Sequence, residues 1–336
     1  MAAPASVRAG EGQQTLVVED LEVEATRRKR RIPLLRGVSF ELERGTVLGL
    51  IGESGSGKTM TCRSVVGALP HGVAITAGRV RADGSVLRSA DGKAPQRGAA
   101  RVGMVFADPH ASLDPLQRVG RQVAESLYVH QGLRGAAAKR EVHRLLEEVL
   151  LPDPERIARQ YPFQLSGGMA QRAMIAVVLS TKPQFLLADE PTSALDATVQ
   201  LEILDLLVRL VEVEGVGILL TTHDMAVVRR ACQRIGVMYA GKIVEIGNAA
   251  DVLGRPQHPY TRLLLAARPR GTSAARLTAI PGEPPVPGEP QPPCAFAPRC
   301  PYATALCHEQ EPALAPHAGS LAACHFAGHL DERAAT

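Results

Sequence analysis

The stretch that decides the fold is VLGLIGESGSGKTMT, residues 47–61. A short apolar run, TVLGLIG (46–52), reads as a buried strand. It enters a turn in which glycine recurs at Gly52, Gly55 and Gly57, and then meets Lys58, Thr59 and Met60 at the head of a helical segment (59–69). Glycines let a backbone turn tightly and aim its N–H groups inward, and a helix start adds further amides and the positive end of its dipole. Such a concavity holds phosphate. Gly52, Ser54, Gly55, Ser56 and Gly57 form its wall, Lys58 reaches the terminal phosphates, and the Thr59 hydroxyl suits Mg²⁺.

A second strand, PQFLLADE (183–190), ends in two carboxylates, which are costly in buried surroundings unless they have partners. Asp189 suits the metal's ligand shell, and Glu190 suits a base that polarises an attacking water. Other strands are expected at 16–24, 37–43, 101–107 and 216–224, with a hairpin around Ala240–Gly241. Helical periodicity marks 142–151, 171–180 and 197–212, the last with Ile203, Leu206, Leu207 and Leu210 on one face. Strand–helix alternation implies a parallel α/β core, the early antiparallel pair an added β-subdomain, and residues 120–168 a helical insertion. Residues 1–14 read as a disordered start, and RRKRR (27–31) as a solvated hairpin tip.

The chain is 336 residues long, 45% hydrophobic and 21% charged, as expected of a globular protein with a sizeable core. A net charge of +4 with 3% aromatic residues and no Trp argues against a nucleic-acid binder that stacks bases. No apolar run approaches the ~18 residues of a membrane span. Cys62 and Cys232 sit in helix-like surroundings and read as buried spectators.

A second glycine turn, LSGGMAQ (165–171), opens another helix. GESGSGKT, LSGGMAQR, FLLADEPTSALD and the His223 of TTHD together resemble the nucleotide-binding subunits of ABC transporters, over roughly residues 15–250. The resemblance implies an ABC-type P-loop ATPase core, with an antiparallel β-subdomain, a helical signature subdomain and ATP with Mg²⁺ as ligands. It implies a head-to-tail dimer in which Ser166, Gly167, Gly168 and Gln171 meet the nucleotide held by a partner. Asp196 would lie at the dimer seam, and His223 at the γ-phosphate beside Glu190 and Lys58. The family usually carries Gln where this chain has Ala107, and an aromatic ring where it has Ala25. Both departures imply weaker coupling or affinity at this cradle, and favour a second, distinct ATPase subunit. That this chain only clamps ATP, as the impaired member of a heterodimeric ATPase pair, is the rival reading; a non-transport ATPase is a further one.

From 251 onward the chain changes character. HPYTRLLLAARP (258–269), IPGEPP (280–285) and CAFAPRCPYATALC (294–307) with Cys324 resemble the tail of the oligopeptide, dipeptide and nickel importer branch. PGEPPVPGEPQPP (281–293) reads as extended linker. Cys294, Cys300, Cys307 and Cys324 contain no close two-residue pair of the kind zinc sites favour. A [4Fe–4S] cluster, which some relatives of this branch bind through a similar set, stands beside zinc (with His308 or His325), disulfides and free thiols. The resemblance further implies two membrane-spanning permease subunits, an external solute-binding protein, and a peripheral place on the cytoplasmic face of a bacterial inner membrane.

Overall fold

The computed structural model describes residues 14–28, 30–92, 101–193, 195–267 and 280–330. Residues 1–13 of the disordered start expected at 1–14, Lys29 of the basic tip and Ala194 of the SALD motif lie outside them.

Two sheets carry the fold. Thr15–Arg27 (β1) and Arg30–Glu43 (β2) form a long antiparallel hairpin that turns within the basic run. After Val47–Ile51 (β3) and the helix Lys58–Val66 (α1) come Val73–Ala82 (β4) and Ser85–Ser89 (β5). These complete a four-stranded antiparallel sheet of order β2-β1-β4-β5. Sequence reading passed over β4 and β5 because few of their residues face the core; Val80, Ala82 and Leu87 are the buried apolar ones.

The main sheet gathers β3, Val102–Val105 (β6), Phe185–Asp189 (β7), Gly217–Thr221 (β8), Arg234–Tyr239 (β9) and Lys242–Asn248 (β10). Its order continues to an edge formed by Ala315–His317 (β11) and Ser320–Ala322 (β12), giving β11-β12-β10-β9-β3-β8-β7-β6. The β6–β7, β7–β8, β8–β3 and β3–β9 pairs are parallel. Each central strand is buried throughout, yet its side chains still alternate between two cores. Leu186, Ala188, Ile218 and Leu220 join one cluster. Phe185, Leu187 and Leu219 join the other, with Cys62 and Val65 of α1 and the inner face of the antiparallel sheet. Each fully buried Leu or Phe contributes roughly 1.5–3 kcal/mol.

The insertion runs through Pro109–Ser112 (α2), Val119–Gln131 (α3), Gly135–Glu148 (α4) and Pro154–Arg159 (α5). Helix α4 begins well before the 142–151 expected, because its first two turns, GAAAKRE, carry little apolar periodicity. Gly167–Leu179 (α6), Ala197–Glu214 (α7) and Met225–Ala231 (α8) pack on the face opposite α1. Ala249–Gly254 (α9), Pro259–Ala266 (α10) and Ala305–Glu309 (α11) belong to the C-terminal region.

That region is stitched into the core. The Glu245 side chain of β10, fully buried, accepts hydrogen bonds from the amides of Gln257 (2.8 Å) and His258 (3.0 Å) and from Ser320 Oγ (3.1 Å). His258 caps α10, its Nδ1 accepting the Tyr260 amide at 3.0 Å. Burial lowers the His258 pKa to about 3, so the folded ring stays neutral where an unfolded one would charge. Its contribution to stability is therefore present above the unfolded value near 6.5 and is lost as pH falls from there towards about 3. His258→Asn keeps a short side-chain acceptor but does not titrate. It should lower stability at neutral pH and flatten the decline between those limits, measured by thermal unfolding across pH.

Candidate active site

Three strand ends build the site. After β3, Gly52 takes φ 153° with its Cα against the next strand, where an added Cβ would lie 2.3 Å from the Met238 carbonyl oxygen. No other residue fits there without moving the backbone. The loop then delivers Lys58, whose side chain is buried and whose Nζ donates to Gly52 O (2.9 Å) and Glu53 O (3.1 Å). Burial lowers the Lys58 pKa, and the nearby carboxylates of Glu190 and Asp189 oppose that shift. Ser56 Oγ is buried in the same loop with no hydrogen-bond partner among the described residues, as a phosphate-facing hydroxyl would be.

At the end of β7 the Asp189 carboxylate, 4% exposed, accepts from Thr59 Oγ1 (3.0 Å) and Thr221 Oγ1 (2.7 Å). Thr221, closing β8, also accepts the Glu190 amide at 3.0 Å. Glu190 sits at φ 47°, a left-handed position costly for a side-chain-bearing residue, which turns it away from the strand line. Its Oε2 lies 3.3 Å from His223 Nδ1. Thr59, Asp189, Glu190 and His223 are thus linked through Thr221 or by direct contact. Thr221 escaped sequence reading because a threonine ending a strand carries no distinctive spacing. The Thr59 hydroxyl, the Asp189 carboxylate and the orphaned Ser56 hydroxyl are oxygen donors of the type that Mg²⁺ and a triphosphate require, so the residues fit those ligands.

The second glycine turn stands apart. Ser166 and Gly167 are exposed, and Ser166 Oγ caps α6 by accepting the Met169 amide. Gly168 is buried against α7, where a Cβ would come 2.4 Å from Val199 Cγ1. Gln171 is buried and donates to Phe106 O at 3.4 Å, beside Ala107. Asp196 is exposed and caps α7 through the amides of Thr198 and Val199. Helices α6 and α1 lie on opposite faces of the main sheet.

All six cysteines are free thiols, which removes the disulfide reading. Among the described residues no group of three or more His, Cys, Asp and Glu is placed to hold a metal ion, so the iron–sulfur and zinc expectations gain no support. Burial pushes the thiols of Cys300 and Cys324 up to about 12 and about 11, opposing the thiolate a metal needs. The four do neighbour one another: Cys294, Cys307 and Cys324 each add to the upward shift at Cys300.

A strand–glycine loop–helix cradle with a carboxylate pair at the next strand ends defines a P-loop ATPase. The family profile described as ABC transporter matches residues 35–193, and that described as Oligopeptide/dipeptide transporter, C-terminal region, matches residues 244–307. The chain is 41% identical over 314 residues to the probable peptide ABC transporter ATP-binding protein y4tR of Sinorhizobium fredii, covering 92% of this chain and 94% of that one. It is 41% identical to the dipeptide transport ATP-binding protein DppD of Haemophilus influenzae, covering 91% and 93%. Its fold matches a dimeric post-hydrolysis state of the ATP-binding cassette MJ0796 bound to ADP and Pi, with TM-score 0.60 and 26% identity over 70% of this chain and 98% of that one. The chain belongs to the ATP-binding proteins of ABC transporters, in the oligopeptide/dipeptide branch, and is an ATPase. Among the described residues no helix is long and apolar enough to cross a membrane.

Proposed function

We propose that this chain powers peptide import, docked on the cytoplasmic face of the membrane against two permease subunits and fed by an external solute-binding protein. The names of its relatives favour peptides over a nickel-like solute. Residues 15–250 serve as the ATPase unit and 251–336 as an extension. The observation that carries the reading is the linked set Thr59–Asp189–Glu190–His223 at the strand ends, beside the lysine-bearing loop.

In this reading the loop amides from Ser54 to Met60 and Lys58 bind the phosphates. Thr59 and Asp189 would hold magnesium, which would supply neutralisation of the phosphate charge. Glu190 takes a proton from water as the water oxygen attacks the γ-phosphorus. The bond to the bridging oxygen breaks, and ADP leaves with the electron pair. His223 holds Glu190 and contacts the γ-phosphate.

The exposure of Ser166, Gly167 and Asp196 supports a shared site: Ser166, Gly167, Gly168 and Gln171 meet nucleotide held by another subunit, with Asp196 at the seam. ATP then closes the pair and hydrolysis releases it. Ala107 and Ala25 favour a second, distinct ATPase as that partner, giving unequal sites. For the four cysteines, the absence of close two-residue pairs in their spacing favours an iron–sulfur cluster over zinc.

Anaerobic purification of the complex tests these readings together. Membrane permeases and a second ATPase should co-purify, without nucleic acid, and Ser166→Cys should crosslink to the neighbouring ATPase only with ATP. Ser166 staying uncrosslinked in the ATP-loaded complex would sink the shared site. A colourless complex free of iron would sink the cluster.

A further inference from the structure

Glu53 is the residue of the glycine loop that the phosphate chemistry leaves unused, and the C-terminal extension grips it. The Glu53 amide donates to Tyr260 Oη at 2.8 Å. Its carboxylate accepts two parallel bonds from Arg299, Nη1 to Oε2 at 2.7 Å and Nη2 to Oε1 at 3.0 Å. Its carbonyl accepts from Lys58. Every polar group of this residue is therefore held.

The gripping side chains are themselves fixed. Arg299 is 4% exposed at its side chain, donates from Nε to Pro281 O at 2.7 Å and from Nη1 to Tyr239 Oη at 3.3 Å, and lies 5.8 Å over the Tyr239 ring. Tyr239, Tyr260 and Phe296 pack against one another with centroids 4.7–5.3 Å apart. A bidentate guanidinium–carboxylate pair fixes direction as well as distance. A glycine-rich loop, left alone, samples many conformations in which its amides diverge, and ligand binding must then order it.

We propose that Arg299 and Tyr260 are positioning residues for ATP: by holding Glu53 they keep the phosphate loop in its binding shape, so docking of the extension sets the affinity of the cradle. Arg299 ends the short turn Ala297–Arg299 and directly precedes Cys300, so a shift of the cysteine-bearing segment is transmitted to the loop. The proposal builds on the ATP site described above; nucleotide binding by the wild-type chain tests that site, and the variants test the brace.

The experiment titrates the full chain with a fluorescent ATP analogue and Mg²⁺, and measures steady-state ATP hydrolysis in the assembled complex. Arg299→Ala should weaken nucleotide affinity and raise KM for ATP by about tenfold, with kcat at saturating ATP changed by less than about twofold. Glu53→Gln and Tyr260→Phe should each weaken affinity by about three- to fivefold, and Arg299→Lys should recover part of the loss, since a point charge replaces the fork. Glu53→Gln combined with Arg299→Ala should be no worse than Arg299→Ala alone, a non-additivity that a general loss of structure would not produce. Should Arg299→Ala fail to fold, Glu53→Gln and Tyr260→Phe decide the matter. Affinities within about twofold of wild type in both, or a fall in kcat with KM unchanged, would overturn the brace.

Discussion

Replacing Glu190 with Gln should lower ATP turnover at this chain's site by about 10²–10⁴-fold, the range that loss of a positioned base produces. ATP binding should survive. Gln keeps the shape of Glu, the Glu190 amide remains on Thr221 Oγ1, and neither Lys58 nor Asp189 depends on the lost carboxylate for its hydrogen bonds. What disappears is the proton acceptor that faces His223 at 3.3 Å. The left-handed backbone at Glu190 supports the same role, because strain of order 1–3 kcal/mol persists only where neighbours impose it. Single-turnover hydrolysis, with gel filtration in ATP and Mg²⁺, measures the effect: turnover stalls while an ATP-loaded dimer accumulates. Unchanged turnover of the complex would place hydrolysis at the partner's site and make this chain the clamp.

How far the site was legible in advance depended on sequence distance. The cradle and the acid pair each lie within a few residues, on a strand flanked by a turn or helix, so local pattern sufficed. The alternation inside β7, with Phe185 and Leu187 facing one core and Leu186 and Ala188 the other, was hidden because both faces are buried and every position is apolar. Strands β11 and β12 were invisible for a different reason. They are three residues each, and join the sheet by pairing β12 with β10, whose residues lie far away in the chain. The Glu53–Arg299 pair spans 246 positions and leaves no periodic trace at either end. The cysteines pose the opposite case: Cys294, Cys300, Cys307 and Cys324 are conspicuous in the sequence, yet among the described residues no group of three or more ligands is placed to hold a metal ion.

Lys58→Met should abolish measurable nucleotide binding, with affinity falling by about 10²-fold or more, because a buried cation facing phosphate is removed and nothing replaces it. Yet the nucleotide-free chain should unfold at the same temperature or higher. Lys58 is buried, burial lowers its pKa, and that shift means the charged ammonium is less well solvated in the fold than in the unfolded chain. An apolar side chain of similar length escapes that penalty, losing only the two bonds to Gly52 O and Glu53 O. Arg at this position should not restore binding, since its planar fork exceeds a pocket built for one Nζ. The lowered pKa also fixes the sign of an alkaline effect. As pH rises through the folded value, Lys58 loses the proton that attracts phosphate, so kcat/KM for ATP should decline below the ordinary lysine range. Nucleotide titration and thermal unfolding of Lys58→Met, with a pH profile of wild-type kcat/KM, check all three. Destabilisation of the nucleotide-free variant together with retained binding would show that Lys58 serves the loop's structure instead of the phosphate.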